Sequence, residues 1–275
     1  MAKKKNKILS VVLVALSCLL ILGGCYYYFR VNGSGVLVER KLGYKDFLDL
    51  EVVIGADITF SPASDRRILL RADDNIIDLV TVYPDDGGSE LRVDLDNSFR
   101  YQQVSVELEI DTDTIRSIYV DSHRSFDDYV VTIESGFTLI EPFSFYVKRG
   151  SALIEGISFD DGEFTVHNAK LTGAITADEV YIDCNEAEID LSGTVNTLEL
   201  NWDALYYSST VDLQDLEVTT AFVNIGSGTT TINVSGSIYG KIRYDATVRY
   251  VDNPGLDLSG LEVGDNATLL VLPVD

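Results

Sequence analysis

The sequence predicts an all-β protein built as a β-solenoid, and its strand pattern is the first observation that supports this. Short stretches rich in Val, Ile, Leu, Thr, Tyr and Phe alternate with polar residues and end at Asp, Gly, Asn or Ser. No segment after residue 30 keeps an apolar period of 3.6, so no long helix is expected there. The clearest predicted strands lie within residues 49–62, 66–74, 90–96 and 104–113.

A repeat of roughly 20–24 residues in the C-terminal half indicates stacked coils. Tripeptides of the type Leu-Ser-Gly end at Gly173, Gly193, Gly236 and Gly260, with spacings of 20, 43 and 24, and the 43 fits two units. One coil cannot bury its own apolar face, so neighbouring coils must stack along an axis. We expect these glycines at corners, where the missing Cβ permits positive φ. A β-sandwich, which also has short alternating strands, is the alternative fold.

The N-terminus is typical of an export signal. Lysines 3, 4, 5 and 7 precede an uncharged run from Ile8 to Leu22, which is the pattern of a signal peptide. The following Leu22-Gly23-Gly24-Cys25 resembles the bacterial lipobox, which ends at a lipidated cysteine. We therefore expect a signal peptide over residues 1–24, a lipidated Cys25 at the mature N-terminus, a tether over 25–36 and a β-solenoid domain over 37–275, with two halves, 37–150 and 151–275, as a possible division.

An uncleaved membrane anchor is the alternative to lipidation. The apolar run extended from Ile8 to Phe29 is 22 residues long, and a hydrocarbon core needs about 20. Tyr26 to Tyr28, followed by Arg30, would then be an interfacial aromatic belt. In both cases the lysines stay inside, and the chain after Arg30 lies in the extracytoplasmic cell envelope, held at the membrane by lipid or by an N-terminal helix.

The charge and the cysteines of the mature chain exclude several classes of protein. From Cys25 onward, 17 Lys and Arg stand against 44 Asp and Glu, a balance of −27. Such a surface repels nucleic acid and anionic lipid headgroups. Cys18 leaves with the signal peptide and Cys25 is acylated, so Cys184 is alone and a disulfide framework is excluded. We expect Cys184 to be a small core residue.

The sequence contains no recognisable catalytic or metal-binding motif. The acidic pairs at 73–74, 85–86, 127–128 and 160–161 lack the spacing of an EF-hand or a calcium-binding β-roll. The two histidines, His123 and His167, lie in no serine or cysteine nucleophile motif. We therefore expect no catalytic centre, no cofactor and no metal. A carboxylate pair acting as a glycosidase on a β-helix face is the alternative activity.

One aromatic segment is a candidate ligand surface. Trp202, Tyr206 and Tyr207 could stack against a sugar on a lateral face of the solenoid. The competing interpretation is a row of aromatic side chains that pack across adjacent coils. The expected partner is a glycan or an envelope protein.

The sequence resembles the head GIN domains of bacterial envelope proteins, also described as adhesin heads of autotransporters. The resemblance lies in Gly33-Ser34-Gly35, in residues 39–60 and 71–83, and in the Leu-Ser-Gly corner that ends residues 249–260. It implies a right-handed parallel β-helix that is exported and anchored, with no established catalytic residues. The function it implies is surface binding or adhesion, and a structural or signalling role beside other envelope proteins is a further alternative.

We predict that Cys25 carries acyl chains in the mature protein. Mass spectrometry of membrane-extracted protein should find residues 1–24 absent and Cys25 modified. Cys25→Ala should leave an unprocessed precursor, because lipid transfer requires the thiol. Recovery of an intact peptide from Met1 to Cys25 would instead establish the uncleaved anchor.

Overall fold

The part of the chain that the structure describes consists of strands joined by turns and loops, and it contains no helix. The structure is a computed structural model, and it describes residues 29–43, 47–64, 66–84, 88–96, 98–122, 129–202 and 208–272. The N-terminal strands are β1 (Phe29–Asn32), β2 (Leu37–Leu42), β3 (Asp49–Val52), β4 (Asp57–Pro62), β5 (Arg67–Asp73), β6 (Val80–Pro84), β7 (Glu90–Leu95), β8 (Phe99–Gln102), β9 (Val106–Thr112), β10 (Thr114–Asp121) and β11 (Val130–Ile133). The C-terminal strands are β12 (Thr138–Lys148), β13 (Ser151–His167), β14 (Lys170–Asn185), β15 (Glu188–Trp202), β16 (Thr210–Ile225), β17 (Thr229–Ile242), β18 (Thr247–Val251), β19 (Asp257–Val263) and β20 (Thr268–Leu272).

Most of the strands form stacked parallel coils, which include β3, β4, β7 and β9 and continue from β10 to the end of the described chain. The long strands β12 to β17 each pair in parallel with the next strand along the chain. The shorter strands β18, β19 and β20 continue the same parallel pairing to the end of the described chain. The predicted all-β solenoid is therefore confirmed, and the alternative β-sandwich is wrong because its sheets would be antiparallel. None of the described residues forms a helix long and apolar enough to cross a membrane.

The core consists of apolar rows that run along the solenoid axis. The interior residues of successive coils lie directly above one another, so each packs against the equivalent residue of the next coil. One such row is Leu108, Ile58, Val131, Ala152, Leu171, Ile189, Val211, Thr230, Val248 and Leu269. The buried core continues without a break across residues 150 and 151, so the structure does not divide the domain into halves there.

The coils are slightly shorter than the repeat in the sequence predicts. One position can be followed in register through Ser151, Lys170, Glu188, Thr210, Thr229, Thr247 and Thr268. The intervals along this row are 19, 18, 22, 19, 18 and 21 residues. The glycine spacings of 20, 43 and 24 overestimate the coil, because the glycines do not lie at one fixed position in it.

Two of the four predicted corner glycines have the expected positive φ but are not stacked on each other. Gly173 has a φ of 153° and Gly193 a φ of 114°. In the ladder, however, Gly173 pairs with Leu191, and Gly193 pairs with Ile175. The two glycines are therefore offset by two residues along the coil.

The other two glycines lie elsewhere and lack a positive φ. Gly236 lies at a register shift opposite Thr219. Gly260 pairs with Tyr239, and a Cβ on Gly260 would lie 2.3 Å from Cδ1 of that ring. Gly260 is therefore small because an aromatic ring occupies the space. The prediction that four equivalent corners carry these glycines is wrong.

One corner is formed instead by residues that have side chains. Arg149, Asn168 and Glu186 adopt left-handed backbone conformations, with φ of 61°, 48° and 52°. The Arg149 N–H donates to the carbonyl oxygen of His167 at 3.2 Å, and the Asn168 N–H donates to that of Asn185 at 2.7 Å. The stacking of these turns on one another holds a conformation that is uncommon for residues with a Cβ.

Antiparallel strands close the N-terminal end of the solenoid. The first coil consists of β7 and β9, which pair in parallel with β3 and β4. On the other side of the first coil, β6 pairs antiparallel with β7, and β5 pairs antiparallel with β9. β2 then adds to β5, again antiparallel. β1 and β8 form a separate two-stranded sheet, in which they pair in parallel. We call β1, β2, β5, β6 and β8 the N-terminal cap.

Residues 29–36, expected to belong to a tether, are part of this cap. After β1 the turn to β2 is held by Asp73, whose buried carboxylate accepts the N–H of Gly35 at 2.7 Å and of Ser105 at 2.9 Å. Gly33 approaches so closely that a Cβ would lie 2.4 Å from Oδ2 of Asp73. The predicted tether is therefore too long, because the structured domain already begins at Phe29 with β1.

We predict that Gly193→Ala lowers the free energy of unfolding by about 1–3 kcal/mol. A φ of 114° is strained for any residue with a side chain, and the new Cβ would lie 2.0 Å from the carbonyl oxygen of Ile175. Gly43→Ala is the matched control, because nothing lies within 4 Å of a Cβ there. Urea denaturation followed by circular dichroism measures both variants. Equal losses would contradict a special role for Gly193.

Candidate functional site

A groove of about 840 Å³ runs along one lateral face of the solenoid. It begins beside the start of β12 and crosses the middle segments of β13, β14, β15, β16 and β17. Strands β13 to β16 each contribute three consecutive residues to the lining, such as Thr194 to Asn196 of β15, and β17 contributes Asn233 and Ser235. The groove is therefore a product of coil stacking and is oriented along the solenoid axis.

Two rows of outward-facing side chains line the groove and follow the register of the coils, except that a register shift lies in the second row at Thr219. Neighbouring strands lie about 4.8 Å apart, so five positions span roughly 19 Å. The first row is Ser158, Thr176, Thr194, Glu217 and Asn233. The second row is Asp160, Asp178, Asn196, Thr219 and Ser235. Between them the floor is formed by the buried residues Phe159, Ala177, Val195 and Val218, because side chains alternate between the two sides of a strand.

The polar groups of the groove are held in place by hydrogen bonds. The Nδ2 of Asn196 donates to Oδ1 of Asp178 at 2.7 Å, across adjacent coils. Oε1 of Glu141 accepts the N–H of Asp160 at 2.6 Å. At the far end, Nδ2 of Asn253 donates to Oδ1 of Asn233 at 2.9 Å. The groove therefore offers positioned acceptors and donors at a regular spacing.

The charge of the groove has one sign. Four carboxylates, those of Glu141, Asp160, Asp178 and Glu217, lie among its lining residues, and no lining residue that the structure describes is Lys or Arg. The other polar side chains of the lining are hydroxyls and amides. This combination suits an extended ligand that presents hydroxyl groups or positive charge, and it disfavours an anionic ligand.

Trp202 does not face a ligand, contrary to one prediction from the sequence. Its side chain is only 3% exposed, and its indole Nε1 donates to the carbonyl oxygen of Ser227 at 2.8 Å. Its neighbour in the ladder is Ile225, so Trp202 packs in the aliphatic core and not in an aromatic row. The other two members of the predicted platform, Tyr206 and Tyr207, lie outside the described residues.

Stacked aromatic pairs occur at two other places on the solenoid. Tyr119 and Tyr146 stack at 4.3 Å between ring centroids, and Phe222 and Tyr239 stack at 5.4 Å. Each pair joins adjacent coils in register. Aromatic side chains thus do pack across adjacent coils. They are not the residues that the sequence analysis named.

The residues considered for nucleophilic chemistry lie apart from the groove. Cys184 is buried in the core, as predicted, and burial raises the pKa of its thiol to about 12. His167 lies in the ladder of β13, with Nε2 3.8 Å from Oδ2 of Asp183. Neither residue lines the groove. Cys25 and His123 lie outside the described residues.

The acidic pairs have different surroundings. Asp73 holds the turn of the cap, and Asp160 lines the groove. The pairs at 85–86 and 127–128 lie outside the described residues. Among the residues that the structure does describe, no group of three or more His, Cys, Asp or Glu side chains has the arrangement of metal ligands.

Comparison with known proteins identifies the family of this chain. A family model described as "Putative auto-transporter adhesin, head GIN domain" matches residues 46–254. The chain belongs to this head GIN domain family. The resemblance seen in the sequence is thereby confirmed. No curated protein matches the chain.

Solved structures share the fold of this GIN domain at low sequence identity. A "putative adhesin" from Bacteroides fragilis NCTC 9343 is 15% identical, with a TM-score of 0.61, and the match covers 88% of this chain and 100% of that one. One from Parabacteroides merdae ATCC 43184 is 14% identical, with a TM-score of 0.61 and coverage of 89% and 100%. A "putative lipid binding protein" from Parabacteroides distasonis ATCC 8503 is 14% identical, with a TM-score of 0.53 and coverage of 89% and 100%.

The groove of the GIN domain has a signal in the sequence that the glycine repeat concealed. Asp160, Asp178, Asn196 and Thr219 each follow an apolar or small residue and precede a polar one. They are 18, 18 and 23 residues apart, close to the coil lengths. This three-residue pattern marks the second row of the groove, whereas the glycines do not, because they lie at different positions in successive coils.

We predict that Cys184 of the folded protein resists alkylation by iodoacetamide at neutral pH. The thiolate is the reactive form, and a pKa raised to about 12 keeps the thiol protonated well above neutral pH. Peptide mapping by mass spectrometry measures the modification of Cys184 before and after unfolding in guanidinium. The unfolded protein is the control, because its thiol returns to an ordinary pKa of about 8.5. Equal rates in both states would contradict the buried position.

Proposed function

We propose that this GIN domain is an exported, membrane-anchored, non-enzymatic β-solenoid that acts as an adhesin-like binding module at the cell surface. The groove carries the proposal. It is long, open along the axis and lined by two regular rows of polar side chains, so it fits a segment of an extended ligand better than a small substrate. A glycan chain or an extended segment of an envelope protein has this form.

The family supports binding at the surface as the general role. The family and two of the similar solved structures are described as adhesins, and adhesins act where a cell meets its surroundings. The signal-like N-terminus and Cys25 supply the proposed route of export and the proposed anchor. The cap then begins a few residues after that anchor, at Phe29.

The chemistry of the groove supports binding rather than turnover. Two of its carboxylates are engaged with neighbouring groups, Asp178 with the Asn196 amide and Glu141 with the Asp160 backbone. Cys184 and His167 do not line it, so neither supplies a nucleophile or a base there. The observation that favours the alternative, a carbohydrate-active enzyme, is that Asp160 and Asp178 lie on adjacent coils of the groove.

We predict that filling the groove abolishes ligand binding while the fold is kept. Thr194→Arg places a long side chain in the middle of the first row. Thr210→Arg is the matched control, because Thr210 is also an exposed strand threonine but does not line the groove. On an array of bacterial and host glycans, and in capture from the source cell envelope, Thr194→Arg should lower binding by at least about tenfold, or ~1.4 kcal/mol.

The same protein preparations separate binding from catalysis. We expect no hydrolysis of polysaccharide, peptide or ester substrates above background, with or without calcium or zinc. Turnover that disappears in Asp160→Asn or Asp178→Asn would establish the glycosidase alternative. Equal binding by Thr194→Arg and Thr210→Arg would show that the groove is not the binding surface.

A further inference from the structure

We propose that the N-terminal cap docks on an anionic lipid surface, with the beginning of β2 against the lipid. This inference rests on the proposed membrane anchor. The first observation behind it is a run of exposed apolar residues at the outermost strand of the cap. Val36, Leu37 and Val38 are 56%, 47% and 36% exposed. Consecutive exposed apolar side chains in a soluble domain indicate a contact surface.

The position of β2 at the end of the sheet makes this run available. Among the described residues, β2 pairs only with β5, through Leu37 to Leu42. Both sides of the strand are exposed at Leu37 and Val38, which point in opposite directions because side chains alternate. A partner must therefore surround the strand rather than cover one face. The headgroup and upper acyl region of a membrane can do so.

The anchor brings this strand close to the membrane. Cys25 precedes Phe29 by four residues, which span at most about 14 Å when fully extended. β1 starts at Phe29, and the turn that follows is fixed to the cap by the carboxylate of Asp73. Asn75 adds a second tie, since its Nδ2 donates to the carbonyl oxygen of Asn32 at 2.9 Å. An anchor at Cys25 therefore holds the cap itself, rather than a flexible linker, beside the bilayer.

The charge distribution favours the same orientation. Residues 29–43 carry three basic residues, Arg30, Arg40 and Lys41, against one acidic residue, Glu39, and Arg40 lies 3.6 Å from the neighbouring Asp78. Residues 123–275 carry 7 basic residues against 25 acidic ones. The net negative charge that repels anionic headgroups therefore lies on the coils and not on residues 29–43. The coils are driven away from the surface, while the segment with β1 and β2 is attracted to it.

Docking by the cap gives the solenoid a fixed direction. The coils extend from the cap toward β20, so the axis leads away from the membrane when the cap is held against it. The groove runs along that axis from β12 to β17. Its whole length is then presented to a ligand arriving from outside the cell.

Fluorescent labels at the two ends of the solenoid test this proposal on the full-length, acylated protein. A polarity-sensitive fluorophore is attached at Leu37→Cys or at Val271→Cys, which is the matched control because Val271 is 51% exposed on β20. Cys184 is buried and remains unlabelled. The protein is reconstituted in vesicles of phosphatidylcholine and phosphatidylglycerol that contain a quencher-labelled lipid. We expect severalfold stronger quenching at position 37 than at position 271, and weaker quenching at position 37 on phosphatidylcholine alone.

A second variant tests the apolar contact itself. Val36→Asp, combined with the label at position 37, should return the quenching toward the level of position 271, because a carboxylate is repelled by anionic lipid. Val36 is 56% exposed, so the fold should be retained, which circular dichroism checks. Val271→Asp with the label at position 37 should leave the quenching unchanged.

The outcomes separate the docking from the anchor. Protein that floats with vesicles but shows equal quenching at both positions would overturn the docking alone. Protein that does not float would overturn both proposals. Equal quenching at position 37 on charged and uncharged vesicles would overturn the role of anionic lipid. A spectral change at position 37 that follows protein concentration without lipid would show that β2 pairs with a second copy, and would also overturn the docking.

Discussion

Parallel stacking in register is the constraint on which the rest of the structure depends. A coil of 18 to 22 residues has no core of its own, so each interior side chain must pack against the equivalent side chain one coil away. The fit between coils is tight where residues are large: a Cβ on Gly150 would lie 2.5 Å from Cζ of the buried Tyr129 on the adjacent coil. The same register turns every outward position into a row. The groove is therefore a consequence of the core, since the rows beginning at Ser158 and Asp160 flank buried residues such as Ala177.

Parallel pairing alone would leave the edge of the first coil open to a further strand. The N-terminal end of the stack is therefore closed in a different way. Here the direction of the strands reverses: β5 and β6 are antiparallel to the coil that they cover, and β2 is antiparallel to β5. Charged pairs reinforce this layer, as Arg67 does with Asp111 at 2.7 Å. The edge that remains at β2 is a liability for aggregation in a freely diffusing domain. In the proposed docking, the membrane would shield this edge from pairing with other strands.

Sequence reasoning reached the fold class and the family because alternation and repetition are local properties of the chain. It failed at the corners, since Arg149, Asn168 and Glu186 perform one function with three unrelated side chains, and stacked backbone hydrogen bonds supply what glycine would have supplied. The tether was predicted too long because the bond that fixes Gly35 comes from Asp73, 38 residues away. The burial of Trp202 could have been predicted from the sequence, because it continues the alternation of Leu198 and Leu200, which are buried on the same side of the strand.

Stacking also places like charges on top of one another, both in the groove and in other rows, where Asp161 pairs with Glu179 and Asp190 pairs with Asp212. Elsewhere a cation can follow an acid: Lys148 lies 3.0 Å from Asp121, and Lys241 lies 3.1 Å from Glu262. In the second row of the groove, a carboxylate at Asp178 follows one at Asp160, and the next residue is the amide of Asn196. Carboxylates on adjacent strands repel each other. In the proposed complex, a ligand that donates hydrogen bonds or carries positive charge would offset this repulsion on binding.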